Sequence, residues 1–397
     1  MSGPLSGVRV VDLTTMVSGP MASSILADQG AEVIKIESPK GDEMRQIGNR
    51  RNDLTASFFS CNRGKRSLCV DLKNPAAHEP LQRLIATADV FMQNFRPGAI
   101  ERMGFSEAVV RKLRPDIIYT SISGFGEHGP YSDQRVYDPV IQALTGATDI
   151  QADRETGTPK MFRIIIADKV TAVSAAQSIS AALFARERHG IGQHVRLSMQ
   201  NAMIGFFWPE GMSGLTFVGD EIDVTKYQGT MDLIYQTRDG FITAGAISDK
   251  EWHGMCAALN KPEWLDDERF ATTTARFKNA QERKRLTAAQ IATFDKDVVL
   301  ARLREHGVPA APLLSRLELL EHEQILANDT IGVYEFAGHG KIRQARPAAL
   351  FDQTPSAIRK AAPRLGEDNT SILQELDYSE EQIAALARAQ AIASPNR

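Results

Sequence analysis

In the first half of the chain, short β-branched runs alternate with stretches whose apolar positions recur every three or four residues. Val8 to Leu13 reads as a strand. Ser18-Gly19-Pro20 then opens a helix, with proline where a missing N–H is harmless, and Gly30 closes it before a second strand from Val33 to Ile36. The alternation continues with a strand at Leu68 to Val70, a helix presenting Leu81, Leu84, Ile85 and Ala88 on one face, and a strand at Val90 to Gln93. A helix before Pro115 and a strand from Ile117 to Ser123 come next. Phe162 to Ala167 reads as a strand leading into a long buried helix from about Lys169 to Arg188, which His189-Gly190 ends before a last strand at His194 to Met199. Strands alternating with helices predict an α/β fold, a Rossmann-like large domain around a parallel, doubly wound sheet.

Past Trp208-Pro209 the texture changes: Gly211, Gly214 and Gly219 punctuate a weakly periodic stretch, read as a linker ending near Tyr227. Leu233 to Thr237, Arg238-Asp239-Gly240 and Phe241 to Gly245 then form a β-hairpin pattern, Asp-Gly being suited to the positive φ angles of tight turns. Antiparallel pairing beside charged helices predicts a smaller α+β domain. Strand-like sequence returns from Ile331 to Arg346, and Ser379 with Gln382 forms a capping box ahead of Ile383, Leu386 and Ala387. The expected organisation is therefore a first part of the large domain over 1–220, the small domain over 221–330 and a return segment over 331–397, with the last residues, A-S-P-N-R, fraying.

Composition narrows the class. With 43% apolar and 24% charged residues the chain is ordinary globular protein, and a formal charge of -3 gives no basic footprint for nucleic acid or an anionic membrane surface. The longest uncharged helical stretch, Val170 to Ala185, is short for a bilayer and carries five hydroxyl or amide side chains. No membrane partner is expected, and the N-terminus has no secretory pattern. Cys61, Cys69 and Cys256 form no C-x-x-C pair, so neither a disulfide framework nor a zinc ribbon is expected, and a cytoplasmic location is the simplest one.

Several familiar motifs fail on their context. A G-x-G-x-x-G occurs at Gly124, Gly126 and Gly129, with Asp149 twenty residues on, but the residues after it make a poor helix, while the true first βα turn, T-T-M-V-S-G-P, has one glycine. Nicotinamide binding is rejected on those grounds. There is no G-x-S-x-G, both His-Glu pairs lack the second histidine of H-E-x-x-H, and the eight histidines show no metal-ligand spacing, so no metal site is assigned.

Two features invite chemistry. Between Cys61 and Lys73, Arg63, Lys65, Arg66 and Lys73 oppose only Asp71, which is either a solvated loop or a site for a polyanion, with Arg96 and Arg102 available to join it. Asp168 follows Ile164-Ile165-Ile166-Ala167 and precedes the long helix. It reads either as a plain N-cap or as a carboxylate kept ionised at the carboxyl end of a strand, where open α/β sheets bind ligands and where an ionised, desolvated carboxylate is a nucleophile.

Six motifs in order, P-L-S-G-V-R-V-V-D-L, G-P-M-A-S-S-I-L-A-D-Q-G-A-E-V-I-K-I-E-S-P-K-G-D, N-R-G-K-R-S-L-C-V-D-L, N-F-R-P-G, S-I-S-G-F-G-E-H-G-P and G-I-G-Q-H-V-R-L-S-M, make the chain resemble a family III CoA-transferase of the CaiB/BaiF group, which also holds the α-methylacyl-CoA racemases. D-D-E-R-F, G-V-P-A-A-P and P-R-L-G-E extend the likeness through the second half. The resemblance implies an interlocked homodimer and an acyl-CoA:carboxylate CoA-transferase acting on an acyl-CoA and a small carboxylic acid, with no cofactor beyond CoA itself. It places the family's catalytic aspartate on Asp168, acting through an aspartyl mixed anhydride and an aspartyl-CoA thioester. It places CoA contacts on Val17, Val70, Lys73, Asn94, Phe95, Arg102 and Arg135. The chain also departs from its relatives. Val17 stands where formyl-CoA enzymes have glutamine, Gly245-Ala246-Ile247-Ser248 replaces a longer glycine-rich loop, and Tyr137-Asp138-Pro139 stands near the racemases' catalytic histidine. A transferase is thus preferred, with a 2-methylacyl-CoA racemase and a catalytically silent CoA-binding protein as alternatives.

Overall fold

The computed structural model describes residues 3–153, 156–222 and 233–393. The chain folds into two compact units, Met1–Pro209 with Asp329–Arg397, and Glu210–Asn328.

The larger unit is built on a six-stranded sheet of β1 (Arg9–Asp12), β2 (Glu32–Glu37), β3 (Arg66–Cys69), β4 (Val90–Gln93), β5 (Ile118–Ser123) and β6 (His194–Ser198), in the order β3-β2-β1-β4-β5-β6 and parallel throughout. The order reverses between β1 and β4, the switch point at which folds of this type bind ligands. Both faces are covered, as a parallel sheet requires. Alternate residues divide between them: Val10, Val33 and Val90 face one core, Val11, Ile34 and Phe91 the other. On the first face lie α1 (Ser18–Asp28) and the long helix Ile166–His189, which meet through small residues, Ala22 against Ala172, Ala175 and Ala176. The opposite core takes in Leu81, Leu84 and Ile85 of the helix His78–Ala86 and, from the end of the chain, Ile372, Leu373, Ile383 and Ile392. The Ser379 and Gln382 capping box forms as expected.

Four expectations need correction. No strand forms at Phe162 to Ala167, because the amide of Gln142 takes that segment's backbone groups in place of a sheet edge: it accepts from Phe162 N–H at 2.9 Å and donates toward the carbonyls of Phe162 and Ile164. The long helix therefore starts at Ile166, and it is buried on one face only, leaving Val173 and Phe184 exposed. The helix Met199–Gly211 runs on through Trp208-Pro209, and Tyr227, where the linker was expected to end, lies outside the described residues.

The smaller unit holds an antiparallel sheet of Ile234–Gln236, Phe241–Ala244 and Ala310–Pro312 around a core of Trp252, Met255, Phe270, Ile291, Val299 and Leu303. The fourth correction is its hairpin, joined by four residues with neither Asp239 nor Gly240 at positive φ. The Asp239 carboxylate is spent instead on the Lys296 N–H at the start of the helix Lys296–Glu305.

Candidate active site

A cavity of about 410 Å3 opens at the carboxyl ends of β1, β4 and β5. Thr15, Met16 and Ser18 come from the turn after β1, Asn94, Phe95 and Arg96 from the turn after β4, and Ser123 and Gly124 from the end of β5. The first two turns are tied together, since Asn94 accepts from Thr15 N–H and donates to its carbonyl, both at 2.9 Å. At Gly124 a Cβ would lie 2.4 Å from Val136 Cγ1, so only glycine lets the following loop fold back and bring Gln134 to Tyr137 to the cavity wall.

The turn after β1 is shaped from behind by a buried ionic cluster. Lys65 Nζ reaches Asp12 at 3.0 Å, Lys35 Nζ reaches Asp42 at 2.9 Å, and Arg45 grips Glu37 through two nitrogens at 2.8 and 2.7 Å. Burial alone would raise the Asp12 pKa, but Lys65 and Lys35, with hydroxyl donors from Ser23 and Thr14, hold it at about 2. Asp42 also accepts from the N–H of Met16, whose φ of 69 is a strained value for a side chain with a Cβ. The cluster holds the cavity wall in a conformation the isolated turn would not adopt.

The decisive pair is Asp138 and Asp168. Asp138 is 2% exposed at the start of the helix Asp138–Leu144, and its Oδ2 accepts from the N–H groups of Ala167 and Asp168 at 2.6 and 3.2 Å. It thus caps the long helix from outside, while Ile165, at the N-cap position, supplies no side-chain bond. Asp168 lies in the first turn and not at the cap, which corrects the plain N-cap reading. Its carboxylate lines the cavity and accepts from Ser18 N–H at 3.2 Å. Burial first, and the Asp138 carboxylate second, push its pKa up to about 6 against the opposing bonds from Ser18. A carboxylate this poorly solvated, with no ion-pair partner among the described residues and open to a cavity, has the character of a nucleophile.

Of the residues assigned to CoA by resemblance, Asn94, Phe95 and Arg135 line this cavity with Asp168. Val17 is 5% exposed and packs with Met44, Leu54 and Phe58. Val70 is buried in the core beside Ile392, and Lys73 and Arg102 are exposed outside the cavity lining. Apart from Lys73, the basic segment is neither a solvated loop nor an open polyanion site. Arg63 pairs with Asp28, Lys65 with Asp12, and Arg66 with Glu32 and Glu375, leaving Lys73 as its exposed cation. Asp138 was visible in sequence only as part of a departure from the racemases. An Asp-Pro at a helix start gives no sign that the aspartate caps another helix.

A protein-family model described as CoA-transferase family III matches residues 5–369. The chain belongs to CoA-transferase family III. Among curated relatives of this family III CoA-transferase is a succinate–glutarate CoA-transferase of Agrobacterium fabrum, 31% identical over 95% of this chain and 96% of the relative. A formyl-CoA:oxalate CoA-transferase of Escherichia coli is 32% identical over 99% and 100%. The crystal structure of a CaiB/BaiF family protein from Brucella suis superposes with a TM-score of 0.82 at 29% identity, covering 95% of this chain and 100% of that one. The protein is an enzyme of CoA transfer, and its substrates are CoA thioesters. Among the described residues no helix is long and apolar enough to cross a membrane.

Proposed function

We propose that this family III CoA-transferase moves CoA from an acyl-CoA to a free carboxylic acid, with Asp168 as the nucleophile. The observation that carries the reading is the release of Asp168 from helix capping by Asp138, which leaves a desolvated carboxylate free at the switch-point cavity. An Asp168 oxygen attacks the thioester carbonyl, the C–S bond breaks, and the product is a mixed anhydride plus CoA thiolate. The thiolate then attacks the Asp168 acyl carbon, releasing the donor acid with one Asp168 oxygen in it and leaving an aspartyl-CoA thioester. The acceptor carboxylate runs the same two steps in reverse, restoring Asp168 with one of its own oxygens. One thioester is exchanged for another, so no further cofactor enters this reading.

Arg135, at the cavity, and Lys73 and Arg102, outside its lining, are assigned to the CoA phosphates, with guanidinium forks suited to their oxygens. Asn94 and Phe95 are assigned to the thioester end of CoA, and Val17 and Val70 to the packed surface beneath it. The interlocked homodimer belongs to the same reading. It is supported by the exposed apolar side chains Val140, Leu144, Ile164, Val173 and Phe184, which a second copy would cover.

The oxygen balance provides the test. With doubly 18O-labelled acceptor acid, part of the donor acid released from the second turnover onward carries one 18O passed on by Asp168, and the labelled share rises with further turnovers. Released acid that stays free of 18O over many turnovers, its new oxygen coming from solvent, would mean hydrolysis and would overturn the proposal.

A further inference from the structure

Next to the Asp168 cavity, and sharing the wall Phe95-Arg96-Pro97 with it, lies a second cavity of about 500 Å3 into which Glu107, His194, Ser121 and Gln93 all project. Their polar atoms form one unbroken chain. Glu107 Oε2 is 2.6 Å from His194 Nδ1, His194 Nε2 is 2.8 Å from Ser121 Oγ, Gln93 Nε2 is 2.9 Å from the same oxygen, and Gln93 Oε1 is 2.8 Å from the Phe95 nitrogen.

The two ends fix the direction of everything between them. Phe95 N–H can only donate, so Gln93 must present its oxygen there and its NH2 to Ser121. At the other end Glu107 is held ionised by Arg111 and His194 against the effect of burial, so it can only accept, and His194 carries its proton on Nδ1. Burial also lowers the His194 pKa, favouring the neutral ring whose Nε2 accepts from the Ser121 hydroxyl. The other charged groups acting on the ring, Arg196 and Glu127, oppose one another, and Tyr119 packs edge-on against it. Each of the three groups that could point either way has one orientation that satisfies both neighbours.

We infer that His194 is a positioning residue: through Ser121 and Gln93 it holds the Asn94 to Pro97 turn in the shape that binds the acyl-CoA. Without the acceptor at Nε2, the Ser121 hydroxyl seeks the Gln93 oxygen in competition with the Phe95 N–H, the amide is drawn to flip, and the turn loosens at the Phe95 N–H. This inference rests on reading the neighbouring cavity as the acyl-CoA site. Its test therefore uses two readouts on the full-length protein. Hydrogen exchange of the Phe95 amide reports the turn itself, and binding of S-ethyl-CoA, a thioether that cannot react, reports its use.

His194→Leu removes the acceptor. It should speed Phe95 exchange and weaken S-ethyl-CoA binding, each by about 5- to 10-fold, the size of one lost hydrogen bond. His194→Gln restores an acceptor at the Nε2 position and should return both to within about two-fold of wild type, a rescue that a merely structural histidine would not show. Ser121→Ala cuts the chain with less disturbance of packing and should match His194→Leu, so the test survives if the leucine variant does not fold. Unchanged exchange and binding in Ser121→Ala, or a glutamine variant as impaired as leucine, overturns the inference. If exchange responds as expected but wild type binds no S-ethyl-CoA, the link to the turn stands and the assignment of the cavity falls.

Discussion

Asp12 and Asp168 flank the same turn, one ending β1 behind it and the other touching Ser18 at its far end, yet the fold treats the two carboxylates in opposite ways. Asp12 is fully buried among Lys65, Lys35, Ser23 and Thr14, and its pKa falls to about 2. Asp168 is half-buried, receives Ser18, has a second carboxylate for a neighbour, and rises to about 6. The difference is in the partners, since burial raises both. A carboxylate matched by cations is structural and unreactive, and one left unmatched at a cavity is kept at a higher free energy that chemistry can use. The cost of the second is carried by the order that the first imposes on the turn.

The contrast can be broken at either end. Asp168→Ala should lower CoA transfer by about 10^4-fold or more while CoA binding persists, measured by turnover and by calorimetry with CoA. Lys65→Met strands the Asp12 charge in the core and should destabilise the larger unit by about 3–5 kcal/mol in urea unfolding, with no direct contact to the cavity.

Linkage separates the two carboxylates by sign. Because the folded pKa of Asp12 lies below its ordinary 3.8, its contribution is present above about pH 4 and is lost as pH falls through about 2. For Asp168 the folded pKa is raised, so the fold favours its protonated form and stability declines as pH climbs from 3.8 through about 6. Asp168→Asn should therefore stabilise the protein by about 1–2 kcal/mol at pH 8, and the effect should vanish near pH 4. In the wild type, activity should rise with pH through about 6 as Asp168, the proposed nucleophile, ionises. The smallest effect expected is that of Asp138→Asn. It should shift this limb to lower pH by removing the neighbouring charge, and cost about 1 kcal/mol of helix capping.

Much of the fold was legible because it is local. The valine and isoleucine runs mark the six strands to within a residue or two, and the Ser379 and Gln382 box marks the last helix. The reading failed where a distant group decides. Ile164-Ile165-Ile166 has the composition of a strand, but Gln142 binds its backbone first. The basic run from Arg63 to Arg66 looks available for phosphate until Asp28, Asp12, Glu32 and Glu375 arrive from elsewhere in the chain. Asp168 could be singled out from its place before the long helix. That it is left out of helix capping depends on Asp138, thirty residues away, and nothing local announces that relation.

The most direct test of the account is mass spectrometry of the acid-quenched protein after mixing with a panel of acyl-CoAs, read on the peptide that contains Asp168. A mass gain of one CoA less one water on that peptide, absent in Asp168→Ala, is the predicted result. Transfer activity with the adduct on another residue, or with the alanine variant still turning over, would contradict it.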